Sequence, residues 1–419
     1  MASLQPVRGT RDLLPEEFRR YRAVIESARA IAERYGYLEM ATPLFEFTEV
    51  FQRTLGETSD IVTKEMYSFS PGGGESGEGE RITLRPEATA GIARALISGG
   101  LAQQLPLKFF TTGPMFRHER PQKGRQRQFH QLDVELLGVP EPLGDVEIIA
   151  VGARILDALG VLDRTTLELN TLGDPESRTA YRGALVDYFS QHRDALSEDS
   201  RDRLERNPLR ILDSKDKGDR ALVAEAPLFN DYLNQDSRDF FDRVKQGLDD
   251  LGLAYELSPR LVRGLDYYTH TAFEFTTTEL GAQGAVLAGG RYDGLVETMG
   301  GPSIPGVGWA AGIERLTMLL ADETPAPRPI VVVPVGAGCE RRALVLTEAL
   351  RQAGFAVDLG FGGNMKKRMK RADKLGARAA VILGEDELAQ ASATVRDLDS
   401  GEQSLVPLDG LQGHLAQYR

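Results

Sequence analysis

The chain has 419 residues, 41% of them hydrophobic, and a formal net charge of −12; this length and apolar content fit two or three globular domains and exclude wholesale disorder. The acidic balance excludes a generally basic nucleic-acid coat, although not a local basic site. A single cysteine, Cys339, excludes a disulfide framework or a cysteine zinc cluster, the five histidines form no ligand spacing, and no apolar run is long enough to span a membrane.

Arg8-Gly9-Thr10-Arg11-Asp12 is followed by a helical pattern in which Phe18, Tyr21, Ile25, Ala28, Ile31, Ala32 and Tyr35 share one face. Pro15-Glu16-Glu17 suits the start of this helix and Gly36 its stop, and a strand ending at Thr42-Pro43 is expected next. Residues 71–80, PGGGESGEGE, have nothing to bury and read as a flexible turn. Leu84-Arg85-Pro86-Glu87-Ala88-Thr89 leads into a short helix from Ala90 to about Ile97. A carboxylate at such a junction ordinarily caps the helix.

The densest set of chemically useful side chains lies between Gly113 and Gly138. An apolar, β-prone run from Lys108 to Thr112 carries on to Arg117 and Glu119, crosses a polar loop and returns as Gln128 to Glu135, the outline of an antiparallel hairpin. Phe129, Gln131, Asp133 and Glu135 share one face of the return strand, too polar a row for a plain core. An isolated Arg-x-Glu reads as a solvated ion pair; the ordered set Arg117, Glu119, Arg125 and Phe129 is more specific. Guanidinium forks match phosphate oxygens and keep their charge at any working pH.

A helix at about 145–160 and a strand at Leu167–Asn170 precede a charged, helix-forming stretch at about 172–255, expected as an insertion with a solvated surface. Arg263-Gly264-Leu265-Asp266-Tyr267-Tyr268 and Ala288-Gly289-Gly290-Arg291-Tyr292-Asp293-Gly294-Leu295 follow, the latter with glycines that permit close backbone approach to a ligand. Gly306 to Leu316 is a glycine-spaced strand meeting a helix whose first turn carries Arg315, well placed to meet an anionic group. Beyond the stiff linker Thr324–Pro329, strands at Ile330–Val335, Phe355–Leu359, Ala380–Leu383 and Thr394–Leu398 alternate with helical stretches, the rhythm of a small α/β domain. Residues 326–419 hold 13 Lys and Arg against 11 Asp and Glu, with six of the 13 clustered in Met365–Lys374. Such segregation suits an RNA-binding module on an acidic enzyme, although a charge run is ordinarily a solvated helix face.

In this order the stretches around Pro43, from Arg117 to Phe129 and from Gly306 to Arg315 resemble the three signature motifs of class II aminoacyl-tRNA synthetases. Arg85 to Thr89, Arg263 to Tyr268 and Ala288 to Leu295 resemble segments of the histidyl-tRNA synthetase family, with Ala88 where that family more often has glycine. The resemblance spans essentially the whole chain. It implies a multidomain α+β protein: a class II antiparallel sheet flanked by helices in residues 1–325, interrupted by the helical insertion at about 172–255, then an α/β anticodon-binding domain in 326–419. A homodimer is implied, built through the first motif; on pattern alone a buried N-terminal helix without a partner fits equally.

The resemblance also implies an activity: ATP-dependent activation of L-histidine, then transfer of the histidyl group to tRNA(His), in the cytoplasm and without a membrane. Arg117 and Arg263 would be catalytic, flanking the α-phosphate, with Arg263 serving where many class II enzymes use a metal ion. Mg2+ would accompany ATP and pyrophosphate, and no protein ligand for a metal can be named. Glu119 would accept from the adenine amino group, Arg125 hold the outer phosphates, Phe129 stack on the base and Arg315 hold the γ-phosphate. Glu87 and Thr89 would grip the α-amino group of histidine, Glu135 and Tyr268 the two imidazole nitrogens, and Gln131, Tyr267, Arg117 and Arg263 would complete that pocket. Arg120 and Gln122 would approach the acceptor end of tRNA, and Lys366, Lys367 and Arg368 would meet RNA from the C-terminal domain. Three other readings compete: a catalytically silent regulatory paralogue of ATP phosphoribosyltransferase, a synthetase for another amino acid, and a non-enzymatic RNA-binding protein. The retained arginines and the full C-terminal domain count against the first, the histidine-specific stretches against the second, and the ATP-clamp residues against the third.

Overall fold

The structure, a computed structural model, describes residues 4–419 apart from 57–58, 60, 71–79, 215, 262–266, 282–283 and 322–325. The expected turn at 71–80, apart from Glu80, and the first two residues of the expected linker therefore lie outside the described residues. Two compact units divide the chain, Met1–Thr324 and Pro325–Arg419.

The first unit is built on an eight-stranded sheet. In chain order its strands are β1 Leu38–Glu39, β2 Leu107–Phe116, β3 Gln128–Leu137, β4 Thr166–Thr171, β5 Glu256–Leu257, β6 Thr269–Thr276, β7 Ala285–Arg291 and β8 Gly306–Gly312. They lie side by side as β1-β2-β3-β8-β7-β6-β4-β5, antiparallel except for the outermost pairs at each edge. The hairpin legible in the sequence is the pair β2 and β3, in register from Leu107 opposite Leu137 to Phe116 opposite Gln128.

Alternation along these strands separates two environments. Leu132, Val134 and Leu136 of β3, with Val307, Trp309 and Ala311 of β8, join a core with helix α1 (Pro15–Arg34) and helix α2 (Pro142–Ala158). Trp309 Nε1 donates to the carbonyl of Ile148 at 3.0 Å, satisfying the one polar atom of a side chain otherwise fully packed. The residues between them face the other way, and that side holds the cleft described below.

The strand expected to end at Thr42-Pro43 stops instead at Glu39. Pro43 has no N–H to offer a ladder. Thr42, just before it, gives both its carbonyl and its hydroxyl to the buried Arg85 guanidinium, at 3.2 and 3.0 Å. The chain then enters a separate three-stranded sheet, with Ile82–Leu84 between Phe45–Phe47 and Tyr67–Phe69.

Residues 175–250 are largely helical. Tyr181, Leu185, Phe189, Leu204, Ile211 and Phe229 form a small core of their own, while Phe241, Val244 and Leu248 of the last helix, Gln235–Asp250, pack into the core of the main sheet. Asp219 organises the small core's edge by accepting from the hydroxyls of Ser197, Ser200 and Ser214 at 2.6–2.7 Å, and these bonds, with the Ser197 amide, hold its pKa down at about 2 against the opposing effect of burial.

In the second unit the sheet runs Val357–Leu359, Ile330–Pro334, Ala379–Leu383, Ser392–Asp397, Gln403–Pro407, parallel for the first three strands and antiparallel thereafter. The last strand was not legible in the sequence: as an edge strand it buries only Val406 and lacks the apolar alternation of its neighbours. The basic helix Met365–Lys374 is present. One of its expected RNA contacts needs correction, because Arg368 lies on the inward face with Ala372, only 4% exposed. Its guanidinium donates to the carbonyl of Pro334 and pairs with Glu340 at 2.8 Å. Lys366 and Lys367 are exposed.

Candidate active site

On the polar face of β3, β8 and β7 lies an open cleft of about 1040 Å³. Small residues make its floor, and Gly308 there and Gly290 on the neighbouring β7 are glycines by necessity. A Cβ on Gly308 would overlap the Glu135 carboxylate, and one on Gly290 would stand 2.9 Å from the Tyr268 ring and closer still to the carbonyl of Thr271.

Ten residues singled out in the sequence line this cleft: Glu87, Thr89, Arg117, Glu119, Arg125, Phe129, Gln131, Tyr267, Tyr268 and Arg315. They come from β3, from the loop between β2 and β3, from helix α3 (Thr89–Ser98) and Glu87 just before it, from Tyr267 and Tyr268 just before β6, and from the helix Ile313–Leu319 that follows β8. Arg263 lies outside the described residues.

At one end the cleft is cationic. Arg117 donates through Nε to the Pro86 carbonyl at 2.8 Å and its guanidinium lies 5.2 Å from the centre of the Phe129 ring, so its outer nitrogens face the cleft in a fixed plane. Glu119 accepts from Arg125 at 2.9 Å and stands 4.0 Å from Arg117. Arg315 donates to the carbonyl of Ala285. Burial, with Arg125 adding like charge, lowers the pKa of Arg315. A site in which two guanidiniums repel one another is stabilised by a polyanion placed between them. The loop tip closes through reciprocal Gln122 and Arg125 backbone bonds of 3.1 and 2.9 Å, with Gly124 at φ +73° in the turn, and it leaves Arg120 and Gln122 exposed.

The other end is acidic and buried. Glu87 does cap a helix: its oxygens accept from the amides of Thr89 and Ala90 at 3.0 and 2.7 Å, while the residue still lines the cleft. Thr89 Oγ1 donates to Glu135 at 2.5 Å, and Tyr292 donates to the other oxygen of the same carboxyl. Glu135 therefore lies beneath the cleft wall, 1% exposed, rather than on it. Burial raises its pKa to about 8, against the lowering effect of Thr89 and Tyr292. Gln131 Oε1 and Asp133 Oδ2 are buried with no hydrogen-bond partner among the described residues; Gln131 lines the cleft, so its oxygen is an acceptor for a donor that arrives there.

Several contributors went unassigned in the sequence. Tyr292 sat inside a recognised stretch, but nothing local to it points at Glu135, 157 residues away. Asp133 was placed on the correct face without a role. Glu314 accepts the backbone N–H of His130 with both oxygens at 3.0 Å and contacts its Nδ1 at 3.0 Å, pinning β3 to the helix that carries Arg315.

The raised Glu135 pKa has a measurable consequence. Its ordinary value is 4.5, so between there and about 8 the folded protein keeps a proton that the unfolded chain releases. Stability from this group is complete below the lower value and is lost as pH rises through the upper one. Burial raises Glu87 and Asp133 in the same direction. The thermal midpoint of the substrate-free protein is expected to fall between about pH 5 and about pH 8, with a shallower slope in Glu135→Gln. Equal slopes in the two proteins would show that Glu135 ionises normally in the fold.

Comparison with known proteins agrees with this geometry. A family model described as histidyl-tRNA synthetase matches residues 9–316, and one described as an anticodon binding domain matches residues 329–417. The chain is 62% identical to the histidine–tRNA ligase of Rhodospirillum rubrum over 419 residues, covering 100% of both chains. It is 58% identical to that of Gluconacetobacter diazotrophicus over 417 residues, 99% of each. The crystal structure of apo S. aureus histidyl-tRNA synthetase superposes with a TM-score of 0.81 at 33% identity, covering 98% of this chain and 99% of that one. With its sheet order, its cleft and both of its units accounted for, the chain belongs to the histidyl-tRNA synthetase family.

Proposed function

We propose that this chain activates L-histidine with ATP, forming histidyl-adenylate and pyrophosphate, and then transfers the histidyl group to tRNA(His). One observation carries the reading: a single cleft joins a cationic end, Arg117, Arg125 and Arg315, to a buried acidic end, Glu87, Gln131 and the carboxyl of Glu135 beneath. ATP and an amino acid laid across these ends meet at Arg117.

In the first step a carboxylate oxygen of histidine attacks the α-phosphorus, and the bond to the β-phosphate oxygen breaks in line, releasing pyrophosphate. Positioning and charge neutralisation dominate such a transfer. Arg117 meets the α-phosphate, Arg125 and Arg315 the outer phosphates, Glu119 the adenine amino group, and Phe129 the face of the base. ATP enters with Mg2+ on its phosphates, as substrate. Arg263 is retained as a second α-phosphate donor on the strength of its motif.

The ammonium group of histidine is taken by Glu87, Thr89 and the unsatisfied Gln131 Oε1. As Thr89 turns to the ammonium, Glu135 exchanges that hydroxyl for an imidazole N–H, with Tyr292 still holding its other oxygen and Tyr268 on the second ring nitrogen; Tyr267 packs alongside. A buried polar pocket of this kind rejects an analogue without the matching groups by roughly 10⁴–10⁵, because its own partners are left unpaired.

Residues 1–325 act as the catalytic domain and 326–419 as the anticodon-binding domain. Arg120 and Gln122 face the acceptor end of tRNA, and Lys366 and Lys367 meet RNA from the second unit. The protein works as a homodimer in the cytoplasm. Exposed Leu14, Phe18, Leu38, Phe45 and Phe47 on the first unit support a second copy, and no helix among the described residues is long and apolar enough to cross a membrane. The regulatory-paralogue reading is not favoured, since the full-length relatives are named ligases and the cationic end of the cleft is assembled.

The decisive test is pyrophosphate exchange into ATP with each of the twenty amino acids, without tRNA. Exchange with histidine alone is expected. No exchange from folded protein would return the regulatory paralogue, and exchange with a different amino acid would overturn the specificity.

A further inference from the structure

The hairpin loop that carries Arg125 projects between two cavities. One is the cleft; the other, about 740 Å³, lies behind the loop against α1 and the helix Ile313–Leu319, and Gly124, Gln126 and Glu314 border both. A loop with space on both sides is only as well placed as its base. The outgoing limb is held where the His118 amide donates to the Glu65 carbonyl at 2.7 Å.

The return limb is held by the N-terminal turn. The Gly9 carbonyl accepts from the amides of Arg127 and Gln128 at 2.7 and 3.3 Å. Arg127 in turn donates to the carbonyls of Arg8 and Glu119 at 3.4 and 3.3 Å, and its own carbonyl accepts from the Arg117 amide at 2.9 Å. Gly9 has φ +88°, and a Cβ there would stand 2.7 Å from Arg127 Cγ. The turn is closed by Thr10, whose amide and hydroxyl both reach the Val7 carbonyl at 2.8 Å, and anchored to α1 by Arg11, which pairs with Glu17 at 2.9 Å.

We propose that Val7–Arg11 is a strap that positions the return limb of this hairpin for ATP, with Gly9 its seat and Arg127 the positioning residue it holds. The inference rests on the nucleotide-binding role given to the hairpin above. Neither residue touches the reacting atoms. Arg127 acts through Arg117 and Glu119, whose backbones it ties to the strap.

The test uses the full chain as Gly9→Ala, Arg127→Ala and the double variant, compared by histidine-dependent pyrophosphate exchange and thermal unfolding. Either single change is expected to raise the KM for ATP about 10-fold, since small misplacements of a positioned group carry large kinetic effects. The KM for histidine should stay within about twofold and the unfolding midpoint within about 4 °C. In the double variant the rise in the KM for ATP should be less than additive, because the side chain that the new Cβ displaces is gone and only the backbone strain of alanine at φ +88° is left. Arg127→Ala leaves Gly9 untouched, so the test stands even if Gly9→Ala does not fold. An unchanged KM for ATP, a parallel rise in both KM values, or additive effects in the double variant would each overturn the strap alone. Absence of histidine-dependent exchange in the unaltered protein would fail the functional reading and the strap with it.

Discussion

Arg117→Ala will lower histidine-dependent pyrophosphate exchange by about 10²–10³-fold, the usual loss when one preorganised donor to a charge-developing centre is removed. Its effect on the fold will be slight. The Arg117 side chain donates one hydrogen bond among the described residues, to the Pro86 carbonyl, and rests on Phe129 at the rim of the cleft with 21% of its surface exposed. The carbonyl of the buried Pro86 loses this donor when it goes, at a cost of about 1 kcal/mol. Lysine in its place will restore only part of the rate, since it supplies the charge without the planar fork that grips two oxygens. The diagnostic is how the loss divides. If Arg117 acts in the transition state, kcat and kcat/KM fall together; a rise in the KM for ATP with kcat unchanged would reduce it to a ground-state binder.

Asp145→Ala will destabilise the first unit by about 3–5 kcal/mol, the expected loss when one member of a buried pair is removed. Arg291 at the end of β7 and Asp145 in the first turn of α2 are both fully buried. The guanidinium is satisfied on every side: it pairs with Asp145, donates to the carbonyls of Val139 and Glu141 at 2.9 and 3.3 Å and to Asp293 at 3.0 Å, and lies 5.2 Å from the centre of the Phe240 ring. Without Asp145 a full charge stays buried with much of its compensation gone. Arg291→Met should be at least as damaging, because it strands two carbonyls and two carboxylates at once. Replacing both members by apolar residues should recover part of the loss, since no uncompensated charge is then left inside. Urea titration of the three variants distinguishes these outcomes; a cost below about 1 kcal/mol for Asp145→Ala would place the pair among weak surface-like bridges.

The pair also illustrates what was hidden in the sequence. Arg291 stood in a recognised stretch without a role of its own, and in the fold it is fully buried, away from the cleft lining, and ties the sheet to a helix. Arg368 is a parallel case. A basic run announces a charged helix, but which of its residues faces inward depends on the sheet beneath it. Both are long side chains whose charge suggests solvent or a ligand, and both find buried oxygen partners 146 and 34 residues away.

The sequence by itself determined the hairpin, the helix before it, the identity of the residues at the cationic end and the presence of a separate C-terminal α/β unit. The elements are local or periodic, alternation marking a strand and 3.6-residue spacing a helix, and the residues of the cationic end were named through the resemblance of their motifs to those of class II synthetases. Tertiary structure alone decided which acids are buried and to whom they are bonded. Glu135 became a buried carboxyl of raised pKa because β8 brings glycine against it and burial outweighs the lowering effect of the hydroxyls of Thr89, 46 residues away, and Tyr292, 157 away. Solvent access and hydrogen-bond partners set a carboxyl's charge, and both belong to the assembled sheet rather than to any stretch of the chain.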